Sequence, residues 1–215
     1  MGVRKGLKIN EYGVFQGEER IGGENEGDVF KNVGLAYIPP ELREDRGEVE
    51  AAKENRIPKL VEPNDIKGDL HVHTKWSDGK NSIEEMAETA ISLGYEYVAV
   101  AEHSPAVGIA GGRNEEKVKK REKEIEGLNK RFENEGVDFR VLAASEVDIK
   151  SDFSMDFPDA ILKSLDVVVG AVHSKFSQGR ATMTQRIVTA MENEHVDIIA
   201  HPTGRVLGKR EPYEV

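Results

Sequence analysis

DLHVHTKWSDG (residues 69–79) runs a short alternating segment directly into a Ser-Asp-Gly turn. Asp69 to His73 reads as a strand, and alternate residues of a strand project to one side, so His71 and His73 share a face and suit a single metal ion. Taken alone, H-V-H is equally an incidental pair, and Asp78 in W-S-D-G reads first as an Asx turn. The next residues decide the class. Ser82-Ile-Glu-Glu is a capping box, Ile83, Met86, Ala87, Ala90 and Ile91 line one helical face, and the pattern stops at Gly94 before a new apolar run, Tyr97 to Ala101. Strand, helix, strand is the resulting unit.

The unit recurs. Further strand candidates are Phe139 to Ala144, Val167 to Val172 and Val196 to Ala200. One intervening helix runs through Val118, Ile125, Leu128 and Phe132, another through Met183, Ile187, Val188 and Met191. Apolar strands alternating with amphipathic crossovers predict an α/β fold with a parallel sheet covered by helices. RNEEKVKKREKEIEGLNKRFENE, from Arg113, interleaves both charge signs and reads as a solvated helix face, not a basic patch. Ahead of the sheet, glycine-rich GEERIGGENEGD and proline-bearing YIPPELRE and IPKLVEPND read as irregular with short helices; only Val29–Val33 and Leu35–Ile38 are apolar enough to pack. The expected division is residues 1–64 as a connecting segment and 65–215 as the main domain.

Bulk composition narrows the function. The chain has no cysteine, so disulfides and thiolate ligands are excluded and any metal must be held by His and carboxylates. No apolar run reaches the roughly 18 residues of a membrane span, and the N-terminal residues lack a secretory apolar core; the expectation is a cytoplasmic protein with no membrane partner. A net charge of −10 is the wrong sign for a generic nucleic-acid binder. Bound divalent cations reverse the local sign, however, so a phosphate-bearing substrate stays open.

Five of the six histidines fall at or just beyond the carboxyl ends of these strands: His71 and His73, His103, His173 and His201. Glu146 ends the third. That side of a parallel sheet carries the active site in barrels and open α/β folds, so residues distant in sequence should converge there. Each histidine singly reads as a satisfied core residue; the shared placement is what argues for chemistry. His195 lies at a helix end, where a cation suits the dipole, and receives no role.

In this order, H-V-H-T-x-W-S-D-G, A-E-H-S, S-E-V-D-I, A-V-H-S-K-F and A-H-P-T-G-R resemble the PHP (polymerase and histidinol phosphatase) superfamily, and more narrowly the PHP module of bacterial and archaeal family X DNA polymerases. L-K-I-N-E-Y-G-V-F and G-L-A-Y-I-P-P-E-L-R-E resemble the end of the polymerase core and its connection to PHP. The resemblance implies a distorted seven-stranded β/α barrel holding two or three divalent ions. His71, His73 and bridging Glu146 would hold the first, Glu146, His173 and His201 the second, Asp78 and His103 the third. A later Asp-x-His that the family uses for the first and third ions is not among these residues, nor is the Gly-Ser and paired-Asp motif of nucleotidyl transfer. The sequence therefore reads as an internal piece of a longer polymerase with an incomplete barrel, the second ion best retained.

Mixed imidazole and carboxylate ligation suits manganese, zinc or iron, with magnesium also open. The chemistry expected is phosphoester hydrolysis by metal-activated water, centred on Glu146, His173 and Asp78, with Lys75, Lys175 and Arg205 as candidate phosphate holders or ordinary surface cations. For the parent the resemblance implies 3′-to-5′ exonuclease and 3′-end processing on gapped or single-stranded DNA in repair, beside the polymerase core. Weak or absent activity is expected of this chain alone. The alternatives are a histidinol-phosphatase-like enzyme, an amidohydrolase, against which Glu146 stands where a bridging lysine is expected, and a non-catalytic, metal-stabilised module.

Overall fold

The computed structural model describes residues 1–106 and 115–215; Arg113 and Asn114, which open the charged stretch, lie outside the described residues. It divides into two compact units, Met1–Val61 and Glu62–Val215.

The first unit is more regular than its composition suggests. Strands β1 (Leu7–Asn10), β2 (Gly13–Gln16) and β3 (Glu19–Gly22) form an antiparallel meander in that order. Its turns are two residues long, Glu11-Tyr12 and Gly17-Glu18, which is why so short a segment holds three strands. Helix α1 (Glu26–Val33) is capped by the Asn25 side chain, which accepts from the Asp28 N–H, and helix α2 (Glu48–Lys53) follows. Val14, Val33, Ile38 and Ala52 are its buried apolar residues. The residues expected to pack do so, but as part of a small sheet-and-helix body instead of an irregular connection.

The second unit is the expected parallel sheet. Its strands β4 (Gly68–Val72), β5 (Tyr97–His103), β6 (Arg140–Asp148), β7 (Val167–Ala171) and β8 (Ile198–Ile199) lie in sequence order, every neighbouring pair parallel. The crossovers carry α3 (Ile83–Ser92), α4 (Glu115–Glu135), α5 (Asp159–Leu162) and α6 (Arg180–Met191). The capping box at Ser82 forms as predicted: its hydroxyl accepts from Glu85 N–H, and the Glu85 carboxylate accepts from Ser82 N–H. Strand β6 is longer than expected and continues through Glu146 to Asp148, whereas β8 is reduced to two residues.

Because the strand order never reverses, one-handed crossovers place all helices on one side, and the sheet is an incomplete barrel, not a doubly wound sheet. Side-chain alternation confirms the two faces. Val98 and Val100 of β5 and Val141 and Ala143 of β6 pack against Ile83, Ala87 and Ala90 of α3 and Ile125, Leu128 and Phe132 of α4. Val147 and Val168 pack against α5, and Ile149 and Val172 against α6. The opposite face is a separate cluster built mainly from alanine: Ala99, Ala101, Ala144, Ala171 and Ala200, with Val169. Small residues suit a concave interior, where strands converge and large side chains collide.

Candidate metal centre

The period-two rule carries the concave face upward into the site. Ala99 and Ala101 are followed on the same face by His103, Ala144 by Glu146, and Val169 and Ala171 by His173. On β4 and beyond it, His71 and His73 alternate with Val72, which packs toward the helices. His201 follows Ala200 in a left-handed conformation (φ 30°) that turns the chain out of β8.

All seven expected ligands meet. Glu146 is buried (1% exposed) at the centre, and its two carboxylate oxygens divide the imidazoles between them. Oε2 lies 3.3 Å from His71 Nε2, 3.4 Å from His73 Nε2 and 3.0 Å from His103 Nδ1. Oε1 lies 3.1 Å from His173 Nε2 and 2.8 Å from His201 Nε2. Asp78 approaches from the turn, 3.5 Å from His73 Nδ1 and 3.5 Å from His103 Nε2.

Hydrogen bonding alone leaves this arrangement unexplained. His71 Nε2, His103 Nδ1 and His173 Nδ1 are buried without a hydrogen-bond partner, although each has a carboxylate oxygen within 3.5 Å. His71 Nε2 and His103 Nδ1 are therefore available to give a lone pair to a cation, whereas His173 presents Nδ1 to Asp148 and Nε2 to Glu146. Adjacent ligands of one ion with bonds of about 2.0–2.2 Å sit about 3.0–3.4 Å apart, the spacing seen here. Three triplets have donor atoms close enough to share an ion: His71, His73 and Glu146; His73, Asp78 and His103; His103, Glu146 and His173. The residues fit divalent metal ions.

The electrostatics agree with a site built for cations. Burial opposes the Glu146 charge, but His173, His201 and His71 outweigh it and hold the carboxyl well below the usual range. Burial likewise opposes a charge on His173, yet Asp148 and Glu146 push that imidazole up to about 9. His73 is lowered by burial and by its neighbour His103.

Two acidic residues here were not singled out by sequence. Asp148 is buried (3% exposed), accepts from the backbone N–H of His173 at 3.1 Å and sits 3.5 Å from its Nδ1. The hydrogen bond is to the His173 main chain, and the carboxylate stands beside the ring nitrogen, the place outer carboxylates take toward metal-bound imidazoles. The E-V-D spacing was the available signal, since residues 146 and 148 of one strand share a face. Glu102, beside His103 in A-E-H-S, points the other way and is also buried (1% exposed). Of the expected phosphate holders, Lys75 Nζ lies 3.6 Å from Glu85, while Lys175 and Arg205 are exposed on the turns after His173 and His201.

A PHP domain model matches residues 69–210, and a DNA polymerase beta thumb model matches residues 2–44. The chain belongs to the PHP domain family. It is 44% identical over 216 residues to the DNA polymerase/3'-5' exonuclease PolX of Bacillus subtilis (strain 168), an alignment covering 98% of this chain and 36% of that protein. A probable phosphatase of Thermoanaerobacter sp. (strain X514) is 30% identical over 140 residues, 62% of this chain and 53% of the relative. A probable phosphatase of Caldanaerobacter subterraneus subsp. tengcongensis is 28% identical over 142 residues, 62% and 51% of the two chains. The chain therefore spans between a third and just over half of the length of these relatives. Among the described residues no helix is long and apolar enough to cross a membrane.

Proposed function

We propose that this chain is the metal-dependent phosphoesterase module of a family X type DNA polymerase and hydrolyses phosphodiesters at DNA 3′ ends. The observation that carries the reading is the division of ligands by Glu146: one oxygen faces His71, His73 and His103, the other His173 and His201. A carboxylate placed in this way would be suited to hold two ions, one on each oxygen. His71 and His73 would complete one site with it, His173 and His201 the second, and Asp78 with His103 a third. Manganese or zinc suits this donor set, with iron or magnesium as further candidates.

Bound divalent ions would supply Lewis acidity at phosphorus and acidify water for attack. The chain's own residues do the rest. Glu146, kept ionised, holds its histidines at fixed spacing, and Asp148 holds the His173 main chain with its carboxylate beside the ring. Lys175 and Arg205, exposed shortly after His173 and His201 in the chain, would be the cations to hold phosphate oxygens, Arg205 with paired donors. The thumb match and the polymerase relative favour DNA over a small phosphomonoester.

The test compares 5′-labelled single-stranded and gapped DNA with histidinol phosphate, using this chain loaded with Mn²⁺ or Zn²⁺. Stepwise 3′ shortening that disappears in His73→Ala is expected. Shortening unchanged by His73→Ala, or turnover of histidinol phosphate with none of DNA, would overturn the reading. Metal binding without any hydrolysis would point to the non-catalytic module.

A further inference from the structure

Glu102 presents a problem that the metal centre leaves unsolved. It lies on β5 next to His103, so alternation sends its carboxylate to the helix side, into a packed layer between Val98, Val100 and α4. A buried carboxylate there costs several kcal/mol unless its oxygens are fully engaged. They are engaged by one short segment. Oε1 accepts from Thr74 N–H at 2.9 Å and from the Thr74 hydroxyl at 2.5 Å; Oε2 accepts from the Ser77 hydroxyl in a very short contact. Arg121 of α4, 2% exposed, lies near enough for its charge to be felt by Glu102 but makes no hydrogen bond or ion pair with it.

Thr74 and Ser77 belong to the turn that carries Asp78. Backbone bonds from Ser77 N–H and Gly79 N–H to Thr74 C=O close that turn, at 3.1 and 2.9 Å. Gly79 permits it, because a Cβ there would stand 2.4 Å from the His73 carbonyl oxygen. Ser77 has one hydroxyl proton, and Glu102 Oε2 is the nearer of its two acceptors, the other being Asp78 Oδ1 at 3.3 Å. The lone pairs of Ser77 Oγ are then left to face His73 Nδ1, 3.5 Å away. A proton held on Nδ1 leaves Nε2 as the metal-facing nitrogen, the one 3.4 Å from Glu146.

We propose that Glu102 is a positioning residue for the metal centre: through Thr74 and Ser77 it fixes the turn bearing Asp78 and the ring orientation of His73. This rests on the metal reading above. It also explains why neighbouring residues 102 and 103, one buried and the other partly buried, face opposite ways, one holding the ligand turn from behind and the other joining the site from the front.

The experiment is calorimetric titration of the full 215-residue chain with Mn²⁺ alone, with bound ions per chain counted by elemental analysis. Trp76, the sole tryptophan and two residues from Asp78, supplies a fluorescence signature of the turn. Glu102→Gln and Ser77→Ala should weaken the weakest-bound ion about 10–100-fold, the usual effect of losing an outer partner. Both should reproduce the pattern of Asp78→Ala, and Ser77→Thr, which keeps the hydroxyl, should restore parental binding. Parental affinity in Ser77→Ala and Glu102→Gln, while Asp78→Ala loses an ion, overturns this proposal alone. No loss in Asp78→Ala, His103→Ala or Glu146→Gln overturns the metal reading and this proposal with it. Should Glu102→Gln unfold, as circular dichroism would show, the Ser77 pair decides, because that hydroxyl sits at a partly exposed turn.

Discussion

Stripping and restoring metal gives a thermal shift that can be worked out in advance. The proposed ligands all lie in Glu62–Val215, and their geometry cannot exist in an unfolded chain, where residues 71 and 201 are far apart. Metal binding is therefore folding free energy for this unit. One ion at a hundred times its dissociation constant contributes about 2.7 kcal/mol. For a unit of this size each kcal/mol moves Tm by about 2–4 °C, so one ion raises it by about 5–11 °C. A second ion on the other oxygen of Glu146 would add to that. The assay is a melt of EDTA-treated, dialysed protein with and without Mn²⁺ or Zn²⁺, followed by Trp76 fluorescence, which reports only on the unit carrying the site. Glu146→Gln preserves shape but removes the bridging charge and should abolish most of the shift; His195→Ala, outside the cluster, should leave it intact. Equal melting of loaded and stripped protein at saturating metal, or a full shift in Glu146→Gln, would refute the assignment.

Three further outcomes follow from the packing. Asn129 of α4 donates to Val141 C=O and accepts from Val141 N–H, both at 2.8 Å, so Asn129→Ala should cost about 1–3 kcal/mol in denaturant titration by stranding the start of β6. Gly204 has φ 58° and a Cβ there would lie 2.4 Å from the Tyr213 ring, so Gly204→Ala should destabilise by about 1–3 kcal/mol and lower Tm accordingly. The Tyr213 hydroxyl is buried without a hydrogen-bond partner and burial raises its pKa above 10, so the folded state loses stability as pH rises past about 10; Tyr213→Phe should match the parent within about 1 kcal/mol at neutral pH and flatten that alkaline loss in pH-dependent melts.

How much of this was legible in the sequence depends on which facts a residue's neighbours encode. The parallel sheet was readable because its helices announce themselves: Ser82 with Glu85 at one end, Gly94 at the other, and an apolar strand on each side. The convergence of the seven proposed ligands was readable because strand ends in such a fold must meet, whatever separates them in sequence. The meander of the front unit was not, because strands of four residues joined by two-residue turns place too few apolar side chains to outweigh a glycine-rich, charged composition. Asp148 and Glu102 mark a different boundary. Both are acidic residues beside a ligand, and only the face to which each points separates the group that holds the His173 main chain from the group that holds the Asp78 turn. Alternation sends residues 102 and 103 to opposite faces, but which face joins the site is decided by pairing, His103 opposite Glu146 and Glu102 opposite Ser145, and pairing is a property of neighbouring strands. The proposed metal centre would thus be specified at two levels: the ligands by residue type at strand ends, and their rigidity by buried acids whose placement becomes visible only once the strands are aligned.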